Sequence, residues 1–469
     1  MELKKSPAFG IKDKVGYLLG DFGNDFTFLL SSSFLLKFYT DVMHVSAGIV
    51  GLVMMLARFV DAFTDVTMGR ICDRARVTRE GKFKPWILRM SGPVAIASFL
   101  IYQSAFAKYA LWFRVLWLVV TYILWGSIFY TSINIPYGSM ASAISREPAD
   151  RQSLSTWRTM GSTLAGLIVG VGIPLFAYDT QTVGGTEVAV MNGPRFTIIA
   201  GVFSALAVLA YIGCYFLTNE RVVQSGNENR ERRGIKHLAV SAFTNRALIS
   251  IIVASVFMLV AQFTLQQMAN YVYPDYYANT AAQSASTVAM MFGMVVAAAI
   301  ARPLATKFGK AEISAVSNLA AAVICLSLFF IRPENVWTYV VFNLLCYLGL
   351  GVFSMVSWAL ITDVIDYSEI KNGVREDGTI YALYSFARKL GQAAAAGLTG
   401  LFLTLIGYNK DAGIALSPAV KEGIFNIATL VPSIGFLLLA LVLWFWYPLH
   451  KREVDKNVEI LRRRHASEG

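Results

Sequence analysis

The chain has 469 residues, 56% of them hydrophobic and only 15% charged, with a mean hydropathy of +0.54. A water-soluble chain of this length carries far more charge, so a soluble multidomain enzyme is excluded. The net charge of +11 does not call for nucleic acid, because the loops of membrane proteins on the cytoplasmic side collect Lys and Arg.

Lys4, Lys5, Lys12 and Lys14 precede a long first apolar run without a cleavage site, so no cleavable leader is expected. Apolar runs of about 20 residues then recur, each long enough to cross about 30 Å of hydrocarbon as a helix. Twelve spans are expected, at 15–40, 46–71, 85–107, 112–143, 153–178, 196–218, 247–274, 283–305, 311–331, 336–362, 379–407 and 421–447. The fold class is all-α and polytopic. It divides into a six-helix bundle at 1–218, a polar linker at 219–246, a second bundle at 247–447 and a tail at 448–469. The basic residues set the orientation. Six Lys or Arg lie in each of 70–84, 219–246 and 448–469, and none in 41–46 or 275–282, so both termini are expected in the cytoplasm. The loops "DRARVTREGKFKPW" and "RPLATKFGK" hold the same ordinal place in each half, as in a transporter built from two parallel repeats. Cys72, Cys214, Cys325 and Cys346 lie far apart and read as buried free thiols.

In chain order, the first polar intrusion into the oil is "GDFGNDF", with Asp25 near mid-span and Asp21 and Asn24 beside it. The second is "RFVDAFTD" in span two, where Asp61 and Asp65 are four residues apart and share a helix face. Each ionised aspartate at bilayer depth costs about 2.5–3.5 kcal/mol, so Asp25, Asp61 and Asp65 together need compensation. Arg58, three residues before Asp61, can pair with it but cannot neutralise all three. A bound Na⁺ or H⁺ is the other partner to consider, with Thr131 adding a hydroxyl to Asp61 and Asp65. The plainer alternative is a static salt-bridge network.

Span four holds "YTSINIPYGSM", where Pro136 frees backbone carbonyls and Tyr130, Thr131 and Asn134 can share a face. Hydroxyls, amides and aromatic faces are what bind sugars, and polar helix contact is the alternative. Arg158 in span five can serve an anionic ligand group or snorkel to the surface. Trp358 in span ten offers either an aromatic face or packing. Ser385, Arg388 and Lys389 of "YSFARKLGQ" complete the candidate substrate set with Asn24, Asp25, Tyr130, Asn134, Arg158 and Trp358. Asp363 and Asp366 with Arg151 and Arg375 are candidate gate ion pairs, or simply solvated helix ends.

In their order and spacing, "GDFGNDF", "FYTDV", "RFVDAFTD", "GKFKPWIL", "NIPYGSM", "TDVIDYSEI" and "YSFARKLGQ" resemble the glycoside–pentoside–hexuronide:cation symporters of the major facilitator superfamily. The resemblance covers nearly the whole chain. It implies a twelve-helix importer working by alternating access in the inner membrane, with no cofactor beyond a co-transported Na⁺ or H⁺. It further implies a monomer among lipids, a small sugar as cargo, and no enzymatic activity. Asp61, Asp65 and Thr131 match the cation site of melibiose-type carriers, which makes Na⁺ at Asp61 and Asp65 the possible metal. Asp25, Tyr130, Arg158 and Lys389 match their sugar-site positions, Lys389 also lying beside the cation site. Where the melibiose type has a second sugar carboxylate and a tryptophan, this chain has Asn134 and Gly138. The patterns around them are more similar to glucuronide carriers, which with Arg388 favours an anionic hexuronide. A neutral pentoside or galactoside, or a non-sugar lipid-type carrier, is the alternative.

Overall fold

The computed structural model describes residues 7–183, 186–222, 245–372, 377–409 and 416–468. Among them are twelve helical segments of membrane-spanning length. Span one is α1 (Ile11–Leu29), a π-helical turn at Leu30–Phe34 and α2 (Leu35–Asp41). Spans two and three are α3 (Ala47–Arg74) and α4 (Lys84–Ile101). Span four is α5 (Leu111–Ile123), a π-helical stretch at Leu124–Tyr130 and α6 (Thr131–Ile144). Spans five and six are α7 (Pro148–Phe176) and α8 (Gly193–Leu217). The second six are α9 (Arg246–Tyr271), α10 (Thr280–Phe308), α11 (Lys310–Ile331), α12 (Val336–Asn372), α13 (Asp377–Leu405) and α14 (Pro418–Leu441), followed by the terminal α15 (Lys451–Glu468).

Ten of these segments are apolar enough by hydropathy alone to cross a membrane. The two outside that set hold Asp21, Asp25, Lys37 and Asp41 in span one, and Arg388 and Lys389 in span eleven. Large apolar side chains such as Phe63, Phe216, Phe330 and Phe445 point outward, each more than 70% exposed. Such a surface suits a solvent of lipid tails and not water. An antiparallel hairpin, β1 (Tyr178–Val183) and β2 (Thr186–Met191), lies between spans five and six, where the hydropathy pattern gave only a connection. All four cysteines are buried free thiols.

The chain forms two compact units. Unit 1 comprises Met1–Arg230, Ala278–Ser284 and Gly400–Val420, and unit 2 the rest. Most of the linker at 219–246 lies outside the described residues.

In unit 1, small residues bring helices together. A Cβ at Gly161 would lie 2.3 Å from the Leu18 carbonyl oxygen, and one at Gly20 would strike the Tyr137 ring at 2.2 Å. Only glycine lets α7 and α6 approach α1 this closely. Lys37, fully buried, is paired with Asp41 at 2.8 Å and donates to the Tyr408 hydroxyl at 2.8 Å, which itself donates to Asp41.

The echoing loops of the two halves share a device. Gly81 in unit 1 has φ +126° and abuts the Glu220 carboxylate, which accepts the backbone N–H groups of Lys82, Phe83 and Lys84 at 2.7–2.8 Å. Gly309 in unit 2 has φ +104° and abuts the Glu312 carboxylate, which accepts the Lys451 N–H at 2.8 Å. A side chain at either glycine would clash with the carboxylate and strain the backbone. Each loop is thereby tied to the end of a distant helix in its own unit.

Candidate functional site

The carboxylates of α3 face span four. Asp61 is buried, and its Oδ1 accepts the Ser127 hydroxyl at 2.5 Å while Oδ2 takes Arg58 at 3.3 Å. Asp65, one turn on, accepts the Thr131 hydroxyl at 2.9 Å. Both rungs join residues 66 apart in sequence. Two helices running side by side therefore present matching i, i+4 pairs, a ladder of carboxylate and hydroxyl oxygens.

The π-helical stretch Leu124–Tyr130 sets this geometry. The wider turn of a π-segment resets the facing residues and loosens the backbone ladder. Ser127 is thereby brought onto Asp61, and the Gly126 carbonyl accepts from Thr131 at 3.2 Å. Ser127 lies four residues before Thr131, so the helical period that pairs Asp61 with Asp65 also pairs Ser127 with Thr131 and was the signal that could have found it.

Oxygen ligands of this kind suit a hard monovalent cation or a proton. No group of three or more His, Cys, Asp or Glu side chains converges among the described residues, so the donor set is not that of a transition-metal centre. Arg58, its guanidinium 5.4 Å from the Phe28 ring centre, balances one of the two carboxylates.

A second cluster lies between α1, α6 and α7. Arg158 donates from Nε to Asp21 Oδ1 at 2.9 Å, and its guanidinium lies 5.3 Å from the Tyr137 ring. Tyr137 stacks on Tyr17 at 4.6 Å, and its hydroxyl donates to the Tyr17 carbonyl. Asp25, one turn beyond Asp21, is half-buried on the same helix. The sequence alone makes Asp25 and Arg158 candidates; the direct partner of Arg158 is Asp21.

Asn24 faces elsewhere. It is 1% exposed, its Oδ1 accepts the Tyr211 hydroxyl of α8 at 2.9 Å, and it serves helix packing. Asn134 is half-buried, and its amide has no hydrogen-bond partner among the described residues. A Cβ at Gly138, one turn further, would meet nothing within 4 Å. Tyr130 packs on Phe28 and Trp125 beside them, at 5.8 and 5.4 Å between ring centres.

Unit 2 holds a different arrangement. Trp358 of α12 stacks on Tyr381 of α13 at 4.7 Å and meets Tyr384 edge-on at 5.1 Å. Arg388 lies 5.7 Å from the Trp358 ring and 5.9 Å from the Tyr384 ring. It has no carboxylate partner among the described residues. Ser385 and Lys389 flank it on α13, both half-buried.

Two of the gate candidates have partners inside their own unit. Asp363 is held by Lys310 at 2.6 Å within unit 2, and Arg151 donates to the Ser145 carbonyl at 2.9 Å within unit 1. Asp366 is half-buried on α12, and Arg375 lies outside the described residues.

Twelve membrane-length helices with charged and aromatic clusters inside them are the build of a multi-pass membrane protein. The family model described as MFS/sugar transport protein matches residues 16–451, and the chain belongs to that family. The glucuronide carrier protein homolog of Escherichia coli (strain K12) is 30% identical over 446 residues, covering 95% of this chain and 94% of its own. The inner membrane symporter YicJ of the same organism is 29% identical over 458 residues, covering 97% and 96%. Among solved structures, a D-xylose-proton symporter superposes with a TM-score of 0.65 at 13% identity, over 93% of this chain and 97% of its own. A bacterial homologue of the human lysosomal transporter Spinster gives 0.66 at 12% identity, over 95% and 97%. Identities this low speak for the major facilitator fold alone. The family resemblance read from the motifs holds.

Proposed function

We propose that the chain is a cation-coupled symporter importing an anionic sugar of the hexuronide class by alternating access. It works as a monomer in the inner membrane with both termini in the cytoplasm. Asp61 and Asp65, with Ser127 and Thr131, hold the coupling Na⁺ or H⁺. Arg388, Ser385, Trp358 and Lys389 in unit 2, and Asp25, Tyr130, Asn134 and Arg158 in unit 1, serve the sugar.

The observation that carries the substrate class is Arg388, a cation inside a span with aromatic faces beside it and no carboxylate partner among the described residues. An unpaired charge at that depth is costly, and a cargo carboxylate is well suited to offset it. The rings can cover the apolar face of a pyranose. Open space at Gly138 beside the unpartnered Asn134 amide suits a cargo bulkier than the melibiose-type site admits. The similarity to a glucuronide carrier homolog points the same way.

Cation binding offsets the carboxylate charge of the ladder and favours the sugar-binding form. Sugar and cation together then permit the change of access. The test is uptake of a labelled glucuronide into vesicles, with Na⁺ and pH gradients imposed separately. Accumulation above the outside concentration under one gradient is expected. Movement of a neutral pentoside or galactoside but no glucuronide would overturn the substrate class, and uptake indifferent to both gradients would overturn coupling.

A further inference from the structure

Asp21 has no role in the site as read from sequence, yet it makes the most direct contact with Arg158. The guanidinium cannot be discharged under any physiological condition. It is held by Asp21 at 2.9 Å and by the face of Tyr137 at 5.3 Å, and it remains 40% exposed. The Asp21 side chain is 9% exposed, and α1 is fixed against α6 and α7 by the glycine contacts at Gly20 and Gly161. This is a rigid carboxylate pressed against one edge of a cation whose side chain is otherwise reachable.

We infer that Asp21 is the resident counter-ion of Arg158, standing in for the cargo's anionic group whenever the carrier is empty. The inference rests on the symport reading above. An importer working by alternating access must return empty after each delivery. During that return Arg158 has no cargo beside it, and an uncompensated cation at bilayer depth opposes the conformational change. Asp21 supplies the missing charge. When an anionic sugar arrives, the exposed part of Arg158 turns to it, and Asp21 becomes a like charge next to the cargo that weakens its hold and eases release. Asp21 is thus a positioning and charge-balancing residue that acts through Arg158.

This assigns a signature that a structural role lacks. Net uptake requires the empty return, whereas exchange of labelled for unlabelled sugar cycles only the loaded carrier. Asp21→Asn keeps an oxygen to accept from Arg158 Nε but removes the charge. It is expected to slow net uptake about 10- to 100-fold relative to exchange, the scale set by an unbalanced charge in the span. Loss of the like charge is expected to lower the KM for a glucuronide about tenfold, as for two charges a few ångströms apart in a partly polar site.

Arg158→Gln leaves Asp21 unbalanced and gives an independent route to the same shift in the net-to-exchange ratio. The double variant Asp21→Asn with Arg158→Gln removes both charges and should bring the ratio back near the parent value. Asp21→Glu should preserve it. The experiment measures net uptake and exchange in the same vesicles, normalised to carrier content, with whichever labelled sugar the parent protein exchanges. If net uptake and exchange fall together, or if neither variant changes their ratio, the counter-ion role is wrong. If the parent exchanges only a neutral sugar, the hexuronide reading fails and the stand-in role falls with it; if the parent exchanges a glucuronide and the ratio is unmoved, the counter-ion role alone fails.

Discussion

Three arginines inside the spans differ in what stands beside them. In unit 1, Arg58 is paired with Asp61 and Arg158 with Asp21. In unit 2, Arg388 lies beside the rings of Trp358 and Tyr384, with no acid to balance it among the described residues. Unit 1 also holds the oxygen ladder of Asp61, Asp65, Ser127 and Thr131, whereas unit 2 offers an aromatic wall. The contrast teaches where charge is waiting for cargo. In unit 1 Arg58 and Arg158 each have a carboxylate beside them and the ladder gathers oxygens, while Arg388 in unit 2 has only rings.

The sharpest way to break this contrast is at Arg388. Arg388→Ala is expected to raise the KM for a glucuronide about 10- to 100-fold, the range for a lost charge-assisted hydrogen bond in a poorly solvated site. A neutral glycoside should be little affected, so a parallel KM series separates charge recognition from general damage. Ser127→Ala removes one hydroxyl from the ladder. It should weaken the cation dependence of uptake about fivefold, the scale of a single hydrogen-bonding group, without altering the sugar KM at saturating cation. A Na⁺ or pH titration of initial uptake rates reads this directly. Trp358→Phe keeps a ring but a smaller one, and a two- to threefold rise in KM is expected from its weaker stacking and cation–π contact.

The smallest effect lies outside the membrane. The Asn192 amide and the Arg195 guanidinium hold the Asp179 carboxyl below the ordinary carboxylate range. A depressed folded value means that the contribution is present above the ordinary aspartate pKa of about 3.9 and is lost as pH falls through the lower folded value. The side chain is 37% exposed, so solvent screens most of the gain. Thermal midpoints of the parent and Asp179→Asn should therefore differ slightly at neutral pH and converge as pH falls through the depressed folded value.

Much of this was legible in the sequence, for physical reasons. The twelve spans follow from runs of apolar residues that only a bilayer tolerates, and the observed helices overlap each expected span. Asp61, Asp65 and Arg58 could be placed on one face because they share one regular helix. Thr131 could be joined to them through the family resemblance. Ser127 was legible as the residue one i, i+4 step before Thr131, but a lone serine in an apolar run carries no signal until the facing Asp61 is seen. Asp21 was seen but given no partner, because which of Asp21 and Asp25 meets Arg158 depends on how α1 is rotated against α7. That rotation is set by Gly20 and Gly161, whose contacts are distant in sequence. Asn24 looked equally available, but helix rotation turns it toward Tyr211. The hairpin at 178–191 lies where hydropathy reports only the end of a span.

On the proposed function, cation and sugar binding are coupled at the ladder of Asp61 and Asp65. The most direct measurement is the affinity of the purified carrier for a labelled glucuronide, taken across Na⁺ concentration and across pH, for the parent and for Asp61→Asn. Linked sites must raise each other's affinity by the same factor, commonly about 5- to 150-fold. Such a rise is expected in the parent under one of the two cations, with a flat response in Asp61→Asn. An Asp61→Asn carrier that keeps the full cation dependence would contradict this coupling.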